Sequence, residues 1–363
     1  MTAIHVIDSL PIAGAEILLQ KVCETQLGSN VRPSVYVCKS QKADLSSRFI
    51  ESGIPLYKSG CGQLRSPMQI LHLASHLRRY KYDIIHVHLF PAQLWVVLAA
   101  LLARSTCPIV TTEHNTWNRR RKPLFRALDK WMYRRFRAVI CISDATMANL
   151  KTWIGADLCQ FYVVLNGIDL TRFSALRHSS SSERSEPTML CVASLCGRKD
   201  HATLLHAMSR LESGRLLIAG DGELRASLQR LAAQLDIGDR VHFLGCRHDV
   251  PELMASADIY VHPSRVEGFG LAPLEAMAAG LPVITSDAPG MRELVDGAGL
   301  TFPVGDADAL AALMREVSSS ADYRAQLSEA SRQRASLFSI DKTVQGYQAV
   351  YEAVLARSAH VSR

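Results

Sequence analysis

The chain has 363 residues, 48% of them hydrophobic and 21% charged, which is enough for two ordinary cores and excludes disordered and collagen-like classes. Its formal net charge of +7 divides unevenly, as +10 over residues 1–170 and −3 over 171–363. The first half is therefore expected to meet something anionic: nucleic acid, an anionic membrane or a phosphorylated acceptor.

Along the chain, short apolar runs alternate with helix-length segments. Strands are predicted at Ala3–Asp8, Val31–Val37, Ile84–His88, Ile109–Thr112, Ala138–Ile142 and Phe161–Leu165. Between them lie amphipathic stretches such as Ala15–Leu27, Met68–Arg79 and Ala92–Ala103. Strands spaced by helices indicate parallel βαβ units. The alternation starts again at Met189–Val192, Arg215–Ala219, Val241–Phe243, Ile259–Val261 and Pro282–Thr285. Between the two series, Ser174 to Pro187 is apolar-poor and contains the run Ser179–Ser182, the composition of a linker. The expected organisation is a first domain over 1–172, a linker over 173–187 and a second domain over 188–339. A terminal helix at about 340–363 has Val344, Tyr347, Val350, Tyr351 and Val354 on one face that must be buried; the sequence does not say against which domain, and packing back on the first is one option.

The nine cysteines are singletons with no CxxC pair, so neither a zinc site nor a disulfide framework is indicated and a reducing cytoplasm fits. Met1–Leu10 has no basic region, and Asp8 interrupts its apolar run, so no signal peptide is expected. The longest apolar stretch, Leu94–Ala103, is about half of a bilayer crossing and reads as a buried helix. A cytoplasmic protein, soluble or peripheral on the membrane's inner face, is expected.

The most informative segment runs from Pro263 to Gly280. A strand leads into a turn containing Gly268 and Gly270, and a helix opens near Leu271 with Pro273 in its first turn. Exposed N–H groups at such a helix end favour an anion, with a diphosphate the natural candidate. Glu267 precedes the helix and Glu275 lies about one turn inside it, so the two would meet different parts of one ligand.

This segment is similar to the E-x7-E motif of the retaining GT-B glycosyltransferases, the family often called glycosyltransferase family 4. The resemblance implies an α/β fold of two Rossmann-like domains facing a central cleft. It places Glu267 beside the donor sugar, the amides around Phe269, Gly270 and Leu271 on the sugar hydroxyls, and Glu275 on the ribose. Other segments resemble the family in the same order. Ala13-Gly14-Ala15-Glu16 is like its G-G-x-E loop, with Ala13 replacing one glycine, which puts Gly14 by the donor phosphates. Thr111 to Thr116 resembles its histidine-bearing loop, which gives His114 a role near the anomeric carbon. Asn166-Gly167-Ile168-Asp169 resembles the N-G-x-D stretch where the family's chain crosses between domains.

In the second half, Val192 to Asp200 resembles the G-R-L-x4-K-G phosphate loop, so Lys199 would grip the diphosphate. Ser194 occupies the family's arginine position and lacks its bidentate charge. Either Arg198 reaches round to replace it, or Lys199 and the helix end carry the leaving group alone, or the transferase is impaired; loss of one charge-assisted contact would cost on the order of 1.5–3 kcal/mol. The turns at Gly222 and Cys246 resemble the loops that meet the nucleotide and its base. The resemblance implies sugar transfer from a nucleotide-diphosphate donor to a glycan or lipid-linked acceptor, with retention through a front-face route. Lys199 and the helix end suit the leaving phosphate electrostatically. Asp306-Ala307-Asp308 looks like a metal-binding D-x-D, but Asp caps a helix well and the helix Ala309–Val317 follows. No metal and no cofactor are expected.

From Arg119 to Arg137, nine basic residues and one acid are interleaved with Leu124, Leu128, Trp131 and Met132, which share a helical face. Either this is a solvated helix with a core-facing stripe, or it docks on anionic lipid. Nucleic-acid binding is not expected, since no recognition module accompanies the charge. Three further functions stand against transfer. A nucleotide-sugar epimerase is disfavoured by E-x7-E, a dehydrogenase lacks G-x-G-x-x-G after the first strand, and Ser194 leaves open a non-catalytic nucleotide-sugar binder.

Overall fold

The computed structural model describes residues 1–41, 44–114, 122–174 and 186–361, with the backbone alone at 359–361. Most of the expected linker, Arg119–Arg121 of the basic stretch, and Asn115 and Thr116 lie outside the described residues. The chain divides into two compact units, Met1–Gly167 with Ile340–Arg363, and Ile168–Ser339. The division therefore falls at the Asn166-Gly167 turn, and 168–174 goes with the second unit.

The first unit holds a seven-stranded sheet: β1 (Thr2–Ile7), β2 (Arg32–Val37), β3 (Leu56–Lys58), β4 (Ile84–His88), β5 (Ile109–Glu113), β6 (Ala138–Cys141) and β7 (Gln160–Val163). Every pairing is parallel, in the order β3-β2-β1-β4-β5-β6-β7. The second unit holds six strands: β8 (Thr188–Val192), β9 (Arg215–Ala219), β10 (Val241–Gly245), β11 (Ile259–His262), β12 (Val283–Ser286) and β13 (Leu300–Phe302). These too are parallel, ordered β10-β9-β8-β11-β12-β13. Each order reverses once, between β1 and β4 and between β8 and β11. This is the doubly wound α/β arrangement, in which ligands bind beyond the carboxyl ends of the strands at the reversal.

Helices cover both faces of such sheets, so the central strands are buried along their whole length. In β4 all five residues are buried, the two histidines included. Core clusters form on the sheets, one around Ile4, Leu73, Val87, Val96 and Val139, and another around Met189, Leu205, Ile218, Val261 and Met314. The terminal helix (Ile340–Val361) buries Val344, Tyr347, Val350, Tyr351 and Val354 in the first unit. It approaches so closely that a Cβ on Gly346 would lie 2.6 Å from Val164 Cγ1. Its Thr343 hydroxyl donates to the Leu165 carbonyl at 2.9 Å.

Two expectations need correction. β3 and β13 were missing from the predicted strands; each has only three residues, too few for a periodic signal. In the helix Pro123–Tyr133, the expected apolar face does not turn inward as a whole. Leu124 is 84% exposed, while Asp129, Met132 and Tyr133 are buried. Asp129 is held there by the Trp153 indole N–H, which donates to it at 2.8 Å.

Candidate active site

The second unit builds its site from loops that leave β8 and β11, the two strands flanking the reversal. After β8 the chain turns through Ala193–Lys199. Leu195 N–H donates to Asp221 O, and Leu224 N–H donates back to Leu195 O, each at 3.0 Å. The turn after β9 thus stacks on the loop after β8. A Cβ at Gly222 would lie 2.5 Å from Leu195 O, and one at Gly220 would lie 2.0 Å from Ala193 O. Gly222 is therefore required by the approach of two backbones, a packing reason that sequence alone did not supply. Ser194 and Arg198 are exposed on the same loop; the Ser194 hydroxyl lies 3.6 Å from Cys196 Sγ. Cys246 is exposed just beyond β10.

A one-turn 3-10 helix over Gly197–Lys199 carries the lysine inward, where its ammonium forms an ion pair with Glu267 Oε2. His262 Nε2 at 3.2 Å and Ser264 Oγ at 3.3 Å flank the same carboxylate oxygen. Burial pushes the Glu267 carboxyl up, but the Lys199 charge and His262 outweigh it and hold it well below the usual carboxylate range. A desolvated anion next to a cation is thereby fixed at the end of β11.

The two loops are also clamped together. Arg265 N–H donates to Arg198 O at 2.8 Å, and the Arg265 guanidinium grips Asp200 through Nε at 2.9 Å and a terminal nitrogen at 3.1 Å. Asp200 adopts φ 49°, a left-handed conformation that Asp tolerates. Sequence reasoning gave no role to Asp200, Arg265, His262 or Ser264, because only the adjacency of β8 and β11 brings them together.

Beyond Glu267, Gly270 caps the helix Leu271–Ala279 with φ 91°. A Cβ there would meet Met291 Cε at 2.2 Å, the movable end of a flexible side chain, so it is the left-handed conformation that calls for glycine. The Phe269 ring packs against Phe338 with centroids 5.6 Å apart, which leaves only its backbone for a ligand. Leu271 opens the helix. Glu275 lies one turn in, and burial raises its carboxyl to about 7 against a partial opposing effect of Arg172.

Gly14 and His114 belong to the first unit. Gly14 opens the helix Gly14–Leu27, whose first turn carries the buried Glu16, raised by burial to about 7. His114 follows β5, and its Nε2 lies 3.1 Å from His88 Nδ1. Asp306 caps the helix Ala307–Ser319 by accepting from Ala309 N–H at 2.9 Å, and Asp308 pairs with Arg210 at 2.6 Å. Among the described residues, the one histidine, cysteine and carboxylate grouping close enough to hold a metal is His5, His86 and His88.

Two doubly wound parallel-sheet units are the architecture of the GT-B class. The chain belongs to the GT-B glycosyltransferases: residues 12–172 match the family described as Glycosyltransferase Family 4 and residues 173–334 that described as Glycosyl transferases group 1. It is 26% identical over 261 residues to an Escherichia coli enzyme named UDP-Gal:α-D-GlcNAc-diphosphoundecaprenol α-1,3-galactosyltransferase, covering 67% of each chain. It is 29% identical over 246 residues to a Rhizobium meliloti lipopolysaccharide core biosynthesis mannosyltransferase, covering 62% of this chain and 68% of that one. In fold it matches HepE from Anabaena, solved with UDP and glucose, at a TM-score of 0.84, covering 97% of this chain and 99% of that one at 22% identity. WaaG, a glycosyltransferase involved in lipopolysaccharide biosynthesis, matches at 0.74 over 98% and 99% of the two chains with 18% identity.

Proposed function

We propose that the protein transfers a sugar from a nucleotide-diphosphate donor to a glycan or lipid-linked acceptor in surface polysaccharide biosynthesis, with retention of anomeric configuration. The observation that carries this is the Lys199–Glu267 pair at the reversal of the second sheet, followed by a helix that opens at a left-handed Gly270. Support comes from HepE, solved with UDP and glucose, and from relatives named for galactosyl and mannosyl transfer. Retention is carried by the family resemblance of Glu267-x7-Glu275.

Cleavage of the bond to diphosphate leaves negative charge on the phosphate and positive charge on the sugar. In this proposal Lys199 and the positive end of the helix stabilise the phosphate, preorganised so that little reorganisation accompanies the step, while the amides around Phe269, Gly270 and Leu271 meet the sugar hydroxyls. Glu267 lies on the sugar side and Glu275 accepts from the ribose hydroxyls. Arg198 takes the place of the charge that Ser194 lacks. His114 acts near the anomeric carbon, and Gly14, Gly222 and Cys246 line the donor. With Asp306 capping a helix and Asp308 paired to Arg210, we propose that no metal takes part.

No helix among the described residues is long and apolar enough to cross a membrane. We propose a cytoplasmic protein that meets anionic lipid through Lys122, Leu124, Phe125 and Arg126, all of them exposed.

The testing experiment is a thermal-shift screen against UDP, GDP, ADP and their sugar conjugates, with and without magnesium, followed by donor hydrolysis. A ligand at 100 times its Kd stabilises by about 2.7 kcal/mol. A metal-independent shift with one nucleotide family, plus hydrolysis of its conjugate, is the expected result. A shift without turnover would establish the binding protein that Ser194 leaves open, and no shift at all would remove the donor site.

A further inference from the structure

His5 on β1 sits opposite His86 in the register with β4, and His5, His86 and His88 are all buried at the centre of the first sheet. Buried imidazoles are costly unless their nitrogens are hydrogen-bonded, and here all six ring nitrogens have partners. His86 is satisfied by hydroxyls, Tyr351 at 2.6 Å on Nδ1 and Thr112 at 2.7 Å on Nε2. The other two form a chain. His5 Nε2 is 3.0 Å from Gln26 Oε1, His5 Nδ1 is 3.1 Å from His88 Nε2, and His88 Nδ1 is 3.1 Å from His114 Nε2. With every nitrogen engaged, the trio is organised as a hydrogen-bonded network and leaves no lone pair for a metal.

Burial holds His5 and His114 down to about 4 and His88 well below its ordinary value, so at neutral pH each ring carries one proton. A neutral imidazole has one donor and one acceptor nitrogen. In a chain of such rings, the direction of one link therefore fixes all the others. Gln26 Oε1 can only accept, which puts the His5 proton on Nε2 and makes His5 Nδ1 an acceptor. His88 must then donate from Nε2 and accept at Nδ1, and His114 must donate from Nε2. His114 Nδ1 is left with its lone pair and is bonded to no described residue.

We propose that Gln26, acting through His5 and His88, sets the ring tautomer of His114, keeping its proton on Nε2 and its Nδ1 an acceptor. The three are positioning residues. Their consequence for transfer rests on the role proposed above for His114: such a ring receives a hydroxyl proton from sugar or acceptor and does not donate one. The tautomer itself does not depend on that role.

The test uses the full chain labelled with 15N-histidine, with long-range proton–nitrogen spectra at neutral pH and the His114 signals identified by their loss in His114→Asn. The parent should show a protonated Nε2 and an unprotonated Nδ1. Gln26→Met, of similar length without a polar end, should shift His114 to a mixture of tautomers. Should Gln26→Met fail to fold, His88→Leu breaks the same chain one link nearer and is read in the same way. A proton on His114 Nδ1 in the parent, as a Gln26 amide turned the other way would impose, overturns the proposal. So does an unmoved tautomer in the broken chain. A moved tautomer with unchanged turnover upholds the relay and removes His114 from the reaction, so the two ideas fail separately.

Discussion

Lys199 and Glu267 stand 68 residues apart and meet in an ion pair because β8 and β11 are neighbours at the reversal of the second sheet. In the proposed reaction the pair would span two tasks, one cation for a leaving phosphate and one carboxylate on the sugar side. Their separate removal should therefore have different consequences. Lys199→Met takes away a charge-assisted contact of about 1.5–3 kcal/mol, so UDP affinity should fall roughly 10- to 150-fold. Glu267→Gln should keep most UDP affinity and lose turnover of the sugar conjugate. Calorimetric titration of UDP decides; equal affinity in both variants would break the assignment.

Glu275 gives a pH dependence with a definite sign. Burial raises its carboxyl from 4.5 to about 7, so the folded protein holds a proton that the unfolded chain has already released. The associated stability is present below about 4.5 and is lost as pH rises through 7. Glu275→Gln cannot ionise, so its Tm relative to the parent should be higher at pH 8 than at pH 5. Glu16 shifts in the same direction but is common to both proteins and cancels. Ribose hydroxyls donating to the carboxylate would reverse this cost on binding. The UDP-induced shift should then grow with pH in the parent and stay flat in the variant. A flat response in both would remove Glu275 from the ribose.

Gly270 and Gly238 form a matched pair of glycines. Alanine at 270 meets Met291 Cε at 2.2 Å with φ at 91°, whereas a Cβ at 238 meets nothing within 4 Å. Backbone strain of this kind is on the order of 1–3 kcal/mol, before any clash. Gly270→Ala should lower Tm and weaken UDP binding, and Gly238→Ala should do neither. Equal behaviour in thermal unfolding would show that the turn before the donor helix is not constrained as described.

Much of this was legible in the sequence, for reasons that also explain what was not. Ile84–His88 reads as a strand because two β-branched residues lead it, and parallel βαβ units follow from alternation with helices, whereas the two Rossmann-like domains were implied by the family resemblance and the strand order only by the structure. The E-x7-E string points to a site only through the family resemblance, and the structure adds that Glu267 pairs with Lys199. The role of His86 and His88 was hidden, because polar residues two apart on a strand ordinarily mark its solvated face. Here helices cover both faces, and His86 finds its partners in Tyr351 and Thr112 while His88 finds its own in His5 and His114, all distant along the chain. The Asp200–Arg265 clamp was hidden likewise, since no periodicity links residues in loops from two strands. Leu124 shows another limit: helical spacing put it on one face with Met132 but could not say whether that face meets core or lipid, and in the structure the first turn of its helix is exposed.

That exposed turn supplies a last test. Lys122, Leu124, Phe125 and Arg126 lie together on the surface, with Leu124 at 84% exposure, although an apolar side chain in that position gains nothing from water. Anionic lipid would take both the charge and the apolar side chains, each basic residue contributing about 1 kcal/mol near the surface. The parent should float with vesicles containing anionic lipid and sediment with neutral ones. Neutralising both cations in Lys122→Gln with Arg126→Gln should weaken binding by roughly 30-fold, about 2 kcal/mol by the same measure. Leu124→Ser should weaken it further without altering its salt dependence. Flotation that is indifferent to lipid charge, or unaffected by all three changes, would assign the turn to solvent alone.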